Sequence, residues 1–206
     1  MDEVRMVASV ILGKERMKLP FVRSILIFIM IILAGCAGRG VKDTSKVPYP
    51  DRITLATIYR QSGETERAKD VLKNAIKREP DRPEAYIDMG DMLFMEDDLE
   101  GAASNYHNAV ESGSEDPVML NNYAWVMTNL GEHGKALSLT DRAINMAPKP
   151  LYPYLDTRAM VLKFLGNTKE ALISAELAMA LTPDHDVAMR QHLEKLIEEL
   201  ESSLIE

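Results

Sequence analysis

Three stretches of this chain coincide with one another at a fixed offset of 34 residues, and that periodicity restricts the fold more than any other feature. The clearest copy runs from Leu120 to Pro148. It begins Leu120-Asn121-Asn122-Tyr123-Ala124-Trp125, reaches Gly131, and continues through Ala136, Ala143 and Pro148. An apolar run that stops at a glycine and resumes with alanines seven residues apart predicts two short amphipathic helices joined by a tight turn. The same landmarks occur upstream as Leu55, Ala56, Tyr59, Gly63, Ala68, Leu72, Ala75 and Pro80. They recur as Met89, Gly90, Leu93, Asp97, Ala102, Tyr106, Ala109 and Ser114, and in the clearest copy as Tyr123, Ala124, Met127, Gly131, Ala136, Thr140, Ala143 and Pro148. A fourth copy, displaced by 35, gives Arg158, Ala159, Leu162, Gly166, Ala171, Ala175, Ala178 and Pro183. A gapless repeat of this length predicts a stack of helical hairpins, each burying its apolar side against the next.

This pattern resembles the tetratricopeptide repeat over residues 49–183. The resemblance implies an all-α, right-handed superhelical solenoid of about four helix pairs. Ser114 in place of the closing proline, Asp97 in place of the turn glycine and Arg158 at a usual apolar site depart from the pattern. Residues 184–206 carry Val187, Leu193, Leu196, Ile197, Leu200 and Leu204 at helical spacing, with glutamates between them. They are read as a C-terminal capping helix that covers the last open apolar face, with Asp184 as its N-cap.

Residues 1–35 read as a signal peptide, with Met17 as an alternative start of translation. From Met17 the order is Lys18 and Arg23, an apolar run from Ile25 to Ala34, then small residues and the lone cysteine, Cys36. That is the layout of a secretory signal. From Ser24 to Ala37 the run is 14 residues, short of the roughly 18 that a membrane span needs. Leu33-Ala34-Gly35-Cys36 resembles the lipobox of bacterial lipoproteins, in which cleavage precedes a cysteine that then becomes lipidated. The resemblance implies a lipid on Cys36, residues 36–48 as lipidated N-terminus and tether, and, with Ala37 rather than aspartate after the cysteine, an outer-membrane anchor facing the periplasm.

Composition excludes one class of partner. The net charge is −8, and because residues 1–35 carry +2, the remainder carries −10. An acidic body repels phosphate backbones, so nucleic acid is not an expected partner. The four histidines, His107, His133, His185 and His192, lack the spacing of a zinc site, and no nucleophile sits in a local catalytic signature. The expectation is a protein with no enzymatic activity and no cofactor.

What is left is a surface for other proteins or extended peptides. In arrays of the family that the repeats resemble, the first helix of each pair lines a concave groove. Carried over by position, the second copy contributes Asp88, Asp91 and Phe94. The third contributes Asn121, Asn122, Trp125, Thr128 and Asn129, and the fourth Asp156, Thr157, Met160 and Lys163. Carboxamides can bond a peptide backbone and Trp125 can anchor an apolar side chain. Phe94 and Phe164 read equally as core and as groove. Such a lipoprotein is expected to act as a scaffold or assembly factor for an envelope complex such as a pilus or secretion system. Accessory work for a cell-wall enzyme, polysaccharide export and glycan binding stand as alternatives. Metabolic palmitate labelling is expected to mark the wild-type chain and to vanish in Cys36→Ala; equal labelling of the two excludes the lipid anchor.

Overall fold

The computed structural model describes residues 47–148 and 151–205, so the signal segment, Cys36 and nearly all of the tether lie outside the described residues. Nine α-helices follow one another among them: α1 (Tyr49–Gln61), α2 (Thr65–Arg78), α3 (Pro83–Met95), α4 (Leu99–Glu111), α5 (Pro117–Asn129), α6 (His133–Met146), α7 (Tyr152–Phe164), α8 (Thr168–Leu181) and α9 (Val187–Ile205). The fold is all-α, four helical hairpins and a longer final helix. None of the helices is long and apolar enough to cross a membrane.

Each hairpin rests on side chains small enough to let two backbones approach. Ala68 and Ala75, Ala102 and Ala109, Ala136 and Ala143, and Ala171 and Ala178 are all wholly buried, as are Ala124 and Ala159 in the facing helices. The second hairpin solves the same packing problem with a different pair. Gly90 stands where its neighbours have alanine, and a Cβ built there would lie 2.7 Å from Cε1 of Tyr106. The missing methyl makes room for a fully buried phenol at a position that is Leu72, Thr140 or Ala175 in the other copies.

The turn within each hairpin closes in the same way. The N–H of Glu64, Asp98, Glu132 and Asn167 donates to the carbonyl five residues earlier, at 2.8–2.9 Å. This is the long bond of a Schellman turn, which needs a left-handed residue just before the donor. Gly63, Gly131 and Gly166 supply it with φ of 76°, 80° and 75°, and Asp97 adopts it at 63°. Aspartate is among the few side chains that visit this region as single residues, so the departure seen in the sequence preserves the turn. Where Ser114 replaces the closing proline, Gly113 takes φ of 87° and Ser114 N–H donates to Ala109 O at 3.0 Å. A second left-handed turn ends α4 in place of a proline stop.

The first helices carry proline in their opening positions, where a missing N–H costs nothing. Carboxylates cap two later starts, with Asp98 accepting from Gly101 N–H at 2.9 Å and Asp116 from Met119 N–H at 2.7 Å. The N-cap of α9 is Asp186, not Asp184: its Oδ1 accepts from Met189 N–H at 3.2 Å. Asp186 N–H bonds back to Pro183 O and delays the helix by one short turn, leaving Asp184 exposed beside Arg190. On α9 the buried residues are Leu193, Leu196 and Leu200, packed with Leu155, Ala159 and Leu162 of α7 and Ala171, Ala175 and Ala178 of α8. Each such leucine stabilises by about 1.5–3 kcal/mol, enough to hold the last hairpin closed.

Arg158, at a usual apolar position, is explained by its contacts. It donates to Asp141 Oδ1 at 2.8 Å and to Oγ of buried Ser174 at 2.7 Å, joining α6, α7 and α8. Gly90→Ala is expected to lower stability by about 1–3 kcal/mol through overpacking against Tyr106, although alanine is the better helix former. Gly134→Ala, on an open face of α6, is expected to raise it by about 0.5 kcal/mol. Urea denaturation of the two variants beside wild type checks both signs.

Candidate functional site

Tyr106 links the core to the surface on which partner contacts were expected. Its ring lies in the core, with the Tyr123 ring centroid 5.8 Å away. Its buried hydroxyl donates to Asp91 Oδ1 on α3 at 2.7 Å. Asn122 Nδ2 donates to the same oxygen at 3.3 Å. One carboxylate oxygen of α3 therefore ties together a core phenol on α4 and a carboxamide on α5. The burial of the ring and the carboxylate beside it push the Tyr106 phenol well above its ordinary value, so it stays a donor at any physiological pH.

The remaining groove residues divide into three groups. Asp88, Asn121 and Trp125 are half-buried beside the Asp91–Asn122 link in register. Asn121 Oδ1 is shielded from solvent with no hydrogen-bond partner, an arrangement that costs about 1–3 kcal/mol. Trp125 stands outside the apolar cluster that holds its neighbours Ala124, Val126 and Met127. Asn129 is exposed, with its Nδ2 donating to Trp125 O at 2.8 Å.

A second group faces inward. Thr128 and Thr157 are only 5% and 6% exposed. Their hydroxyls donate to Ala124 O and Pro153 O within their own helices, which corrects the expectation that they line the groove. A short hydroxyl satisfied one turn back leaves no donor for a ligand. Phe94 packs against the central cluster and Met160 against the cluster under α9, whereas Phe164 is 56% exposed and stacks on His133 at 5.2 Å between ring centroids.

The third group is held by α9. Asp156 Oδ1 lies 2.9 Å from His192 Nε2, and Lys163 Nζ donates to Glu199 Oε2 at 2.5 Å. Sequence reading placed Asp156 and Lys163 on the groove and α9 over the end of the stack, without pairing them. The signal was present in the 36-residue separation of each pair, close to one repeat, but only packing decides which residues of a cap reach back. The Tyr106 hydroxyl was also missed; a phenol at a position otherwise aliphatic or small, opposite a glycine where other copies have alanine, was the available sign.

Burial raises the Asp88 carboxyl above its ordinary value of 3.8, and the charge of Asp91 adds to the shift while Arg60 opposes it. Burial also raises Asp156, opposed by His192. Both aspartates are thus held in surroundings that disfavour the bare anion, and a cation or N–H donor placed against them would relieve that. Among the described residues no group of three or more His, Cys, Asp or Glu side chains has the geometry to hold a metal ion.

Residues 51–92 match the family model of the tetratricopeptide repeat. The chain is 27% identical over 155 residues to the type IV pilus assembly protein PilF of Pseudomonas aeruginosa, an alignment covering 70% of this chain. It spans 58% of that relative's length. Among solved structures, the fold is similar to YrrB, described as a tetratricopeptide repeat protein with an unusual peptide-binding site. That match has a TM-score of 0.64 and 16% identity, and covers 76% of this chain and 88% of the other. It is also similar to PilW, described as a type IV pilus biogenesis factor, with a TM-score of 0.59 and 14% identity over 75% of this chain and 78% of that one. At these identities the structural likeness speaks to the fold.

The raised Asp88 sets a sign for pH dependence. The folded state holds this proton more tightly than the unfolded chain, so the Asp88 contribution to stability is greatest below pH 3.8 and falls as pH rises through the raised folded value. Asp88→Asn is expected to be more stable than wild type at neutral pH, with the advantage shrinking as pH is lowered towards 3.8. Paired denaturation curves across that range check it; an advantage that grows in acid contradicts the assignment.

Proposed function

We propose that the chain works as a membrane-anchored scaffold built of tetratricopeptide-type repeats. In this reading it holds other proteins in the groove lined by its first helices and serves the assembly of an envelope complex, with a pilus or secretion system first among the candidates. The observation that carries the groove is the shared Asp91 oxygen. Asn122 and Asp91 come from adjacent hairpins, and the Tyr106 hydroxyl and the Asn122 amide both donate to the one Asp91 oxygen. A polar wall fixed in this way loses little side-chain freedom when a peptide binds. Next to it in register stand Trp125, half-buried and outside the central cluster, and Asn121, whose amide oxygen lacks a partner. An extended peptide can cover the indole with an apolar side chain.

The pilus assignment is supported by the likeness to PilF, a type IV pilus assembly protein. The membrane anchor rests on the sequence from Met17 to Cys36. Several acyl chains on one cysteine, at about 0.8 kcal/mol per buried methylene, would hold the body at a membrane surface. An outer-membrane position facing the periplasm follows from the lipobox and from Ala37.

A photo-crosslinker at exposed Asn129, used in cells, is expected to capture a subunit of a pilus or secretion assembly. Asn122→Ala combined with Trp125→Ala should reduce that capture at least about tenfold, the loss of two central contacts, while circular dichroism keeps its helical signal. Capture confined to cell-wall hydrolases or synthases would replace the assembly role with an accessory one. Collapse of the helical signal would make Asn122 and Trp125 core residues and remove the groove.

A further inference from the structure

The final helix follows the register of the first helices of the hairpins. Helices α1, α3, α5, α7 and α9 begin at residues 49, 83, 117, 152 and 187, in steps of 34, 34, 35 and 35. The contacts at its start repeat as well. Tyr49 OH lies 3.2 Å from Glu84 Oε2 and accepts from Ala85 N–H at the start of α3. Tyr152, at the corresponding position of its own hairpin, donates to Asp186 Oδ2 at the start of α9.

Side chains along α9 obey the same correspondence. His192 falls where α5 has Asn122, and each reaches back to an aspartate on the preceding first helix, Asp156 and Asp91 respectively. Leu196 falls where α5 and α7 have the buried Val126 and Val161, the side turned to the preceding hairpin. The side that in α5 and α7 packs on the partner helix carries Leu120 and Leu155, then Ala124 and Ala159, all buried. In α9 those positions are Arg190, half-buried, and Glu194, exposed. A charged residue at the close-approach position cannot admit a second helix without losing its hydration.

The groove-facing positions of α5, Asn121 and Trp125, become Gln191 and Lys195 in α9, and both are exposed. We propose that α9 is a fifth groove-lining helix. In this proposal Gln191 and Lys195 contact the same extended peptide that crosses Trp125, and the peptide sets a carboxylate over Lys195. The proposal rests on the groove reading given above. The charge it assigns follows from what is already paired at this end. Asp156 is engaged by His192, and Glu199 is engaged by Lys163 at 2.5 Å and stands 3.9 Å from Lys195. The Lys195 side chain is 78% exposed, and among the described residues that long contact is its one ion pair. From α5 to α9 is two helix steps, about 20 Å at usual interaxial distances, which roughly six extended residues span.

Random dodecapeptides displayed on phage, selected on the immobilised full chain, test this, with fluorescence anisotropy of an enriched peptide against variants. Expected are enrichment of peptides bearing an acidic residue and loss of binding in the Asn122→Ala, Trp125→Ala double variant. Binding should weaken about fivefold in Lys195→Glu, stay within about twofold in Lys195→Arg, and return in Lys195→Glu when the acidic residue of the peptide is changed to lysine. A peptide that needs Trp125 but is indifferent to Lys195→Glu and to Gln191→Ala overturns the fifth lining helix and leaves the groove standing. Indifference to Trp125 as well, or no enrichment, overturns both.

Discussion

The whole array depends on how closely two helices can approach. Wherever two helices of a hairpin meet, the residues at the crossing are alanine or glycine, and they are fully or almost fully buried. Backbones at that distance bring the larger residues around the crossing into contact, so a few methyl-sized side chains set the geometry of each unit. The stacking of units then follows, because each hairpin leaves an apolar side that only another first helix can cover.

That constraint reaches the surface through one exception. In the second hairpin the small residue is glycine, and the methyl given up there is replaced by the ring of Tyr106. A phenol that occupies a core position must place its hydroxyl somewhere polar. Here it bonds Asp91 on α3, which in turn holds Asn122 on α5. The most ordered polar feature of the candidate groove is therefore a consequence of core packing, and the other hairpins, with Leu72, Thr140 and Ala175 at the same position, have no phenol there to do the same.

The final helix is set apart by charge at a packing position. Glu194 stands where a close-approach alanine would be, and Arg190 where a leucine would be, so α9 can cover the fourth hairpin but cannot receive a partner of its own. Its other contacts, a hydrogen bond between Asp156 and His192 and an ion pair between Lys163 and Glu199, are at least partly open to water. Contacts so open to water contribute little, so the three buried leucines and not the charges hold the cap.

The sequence by itself determined the repeat, its four copies, the helical class and the turns, because these depend on local requirements: a small residue at the crossing, a left-handed residue at the turn, a proline at a boundary. It located even the departures, Asp97, Ser114 and Arg158, although not their compensations, since the left-handed backbone of Asp97 and the polar contacts of Arg158 are properties of position in space. Only the tertiary structure decided which groove residues remain free. Thr157 shares a register with half-buried Asn122, and Thr128 with half-buried Lys163, yet both threonines are turned inward. Asp156 and Lys163 are drawn to a helix about a repeat away in sequence. The physical reason is that periodicity assigns each residue a face, whereas accessibility and pairing depend on what the next helix presents to that face, a quantity summed over contacts distant in the chain.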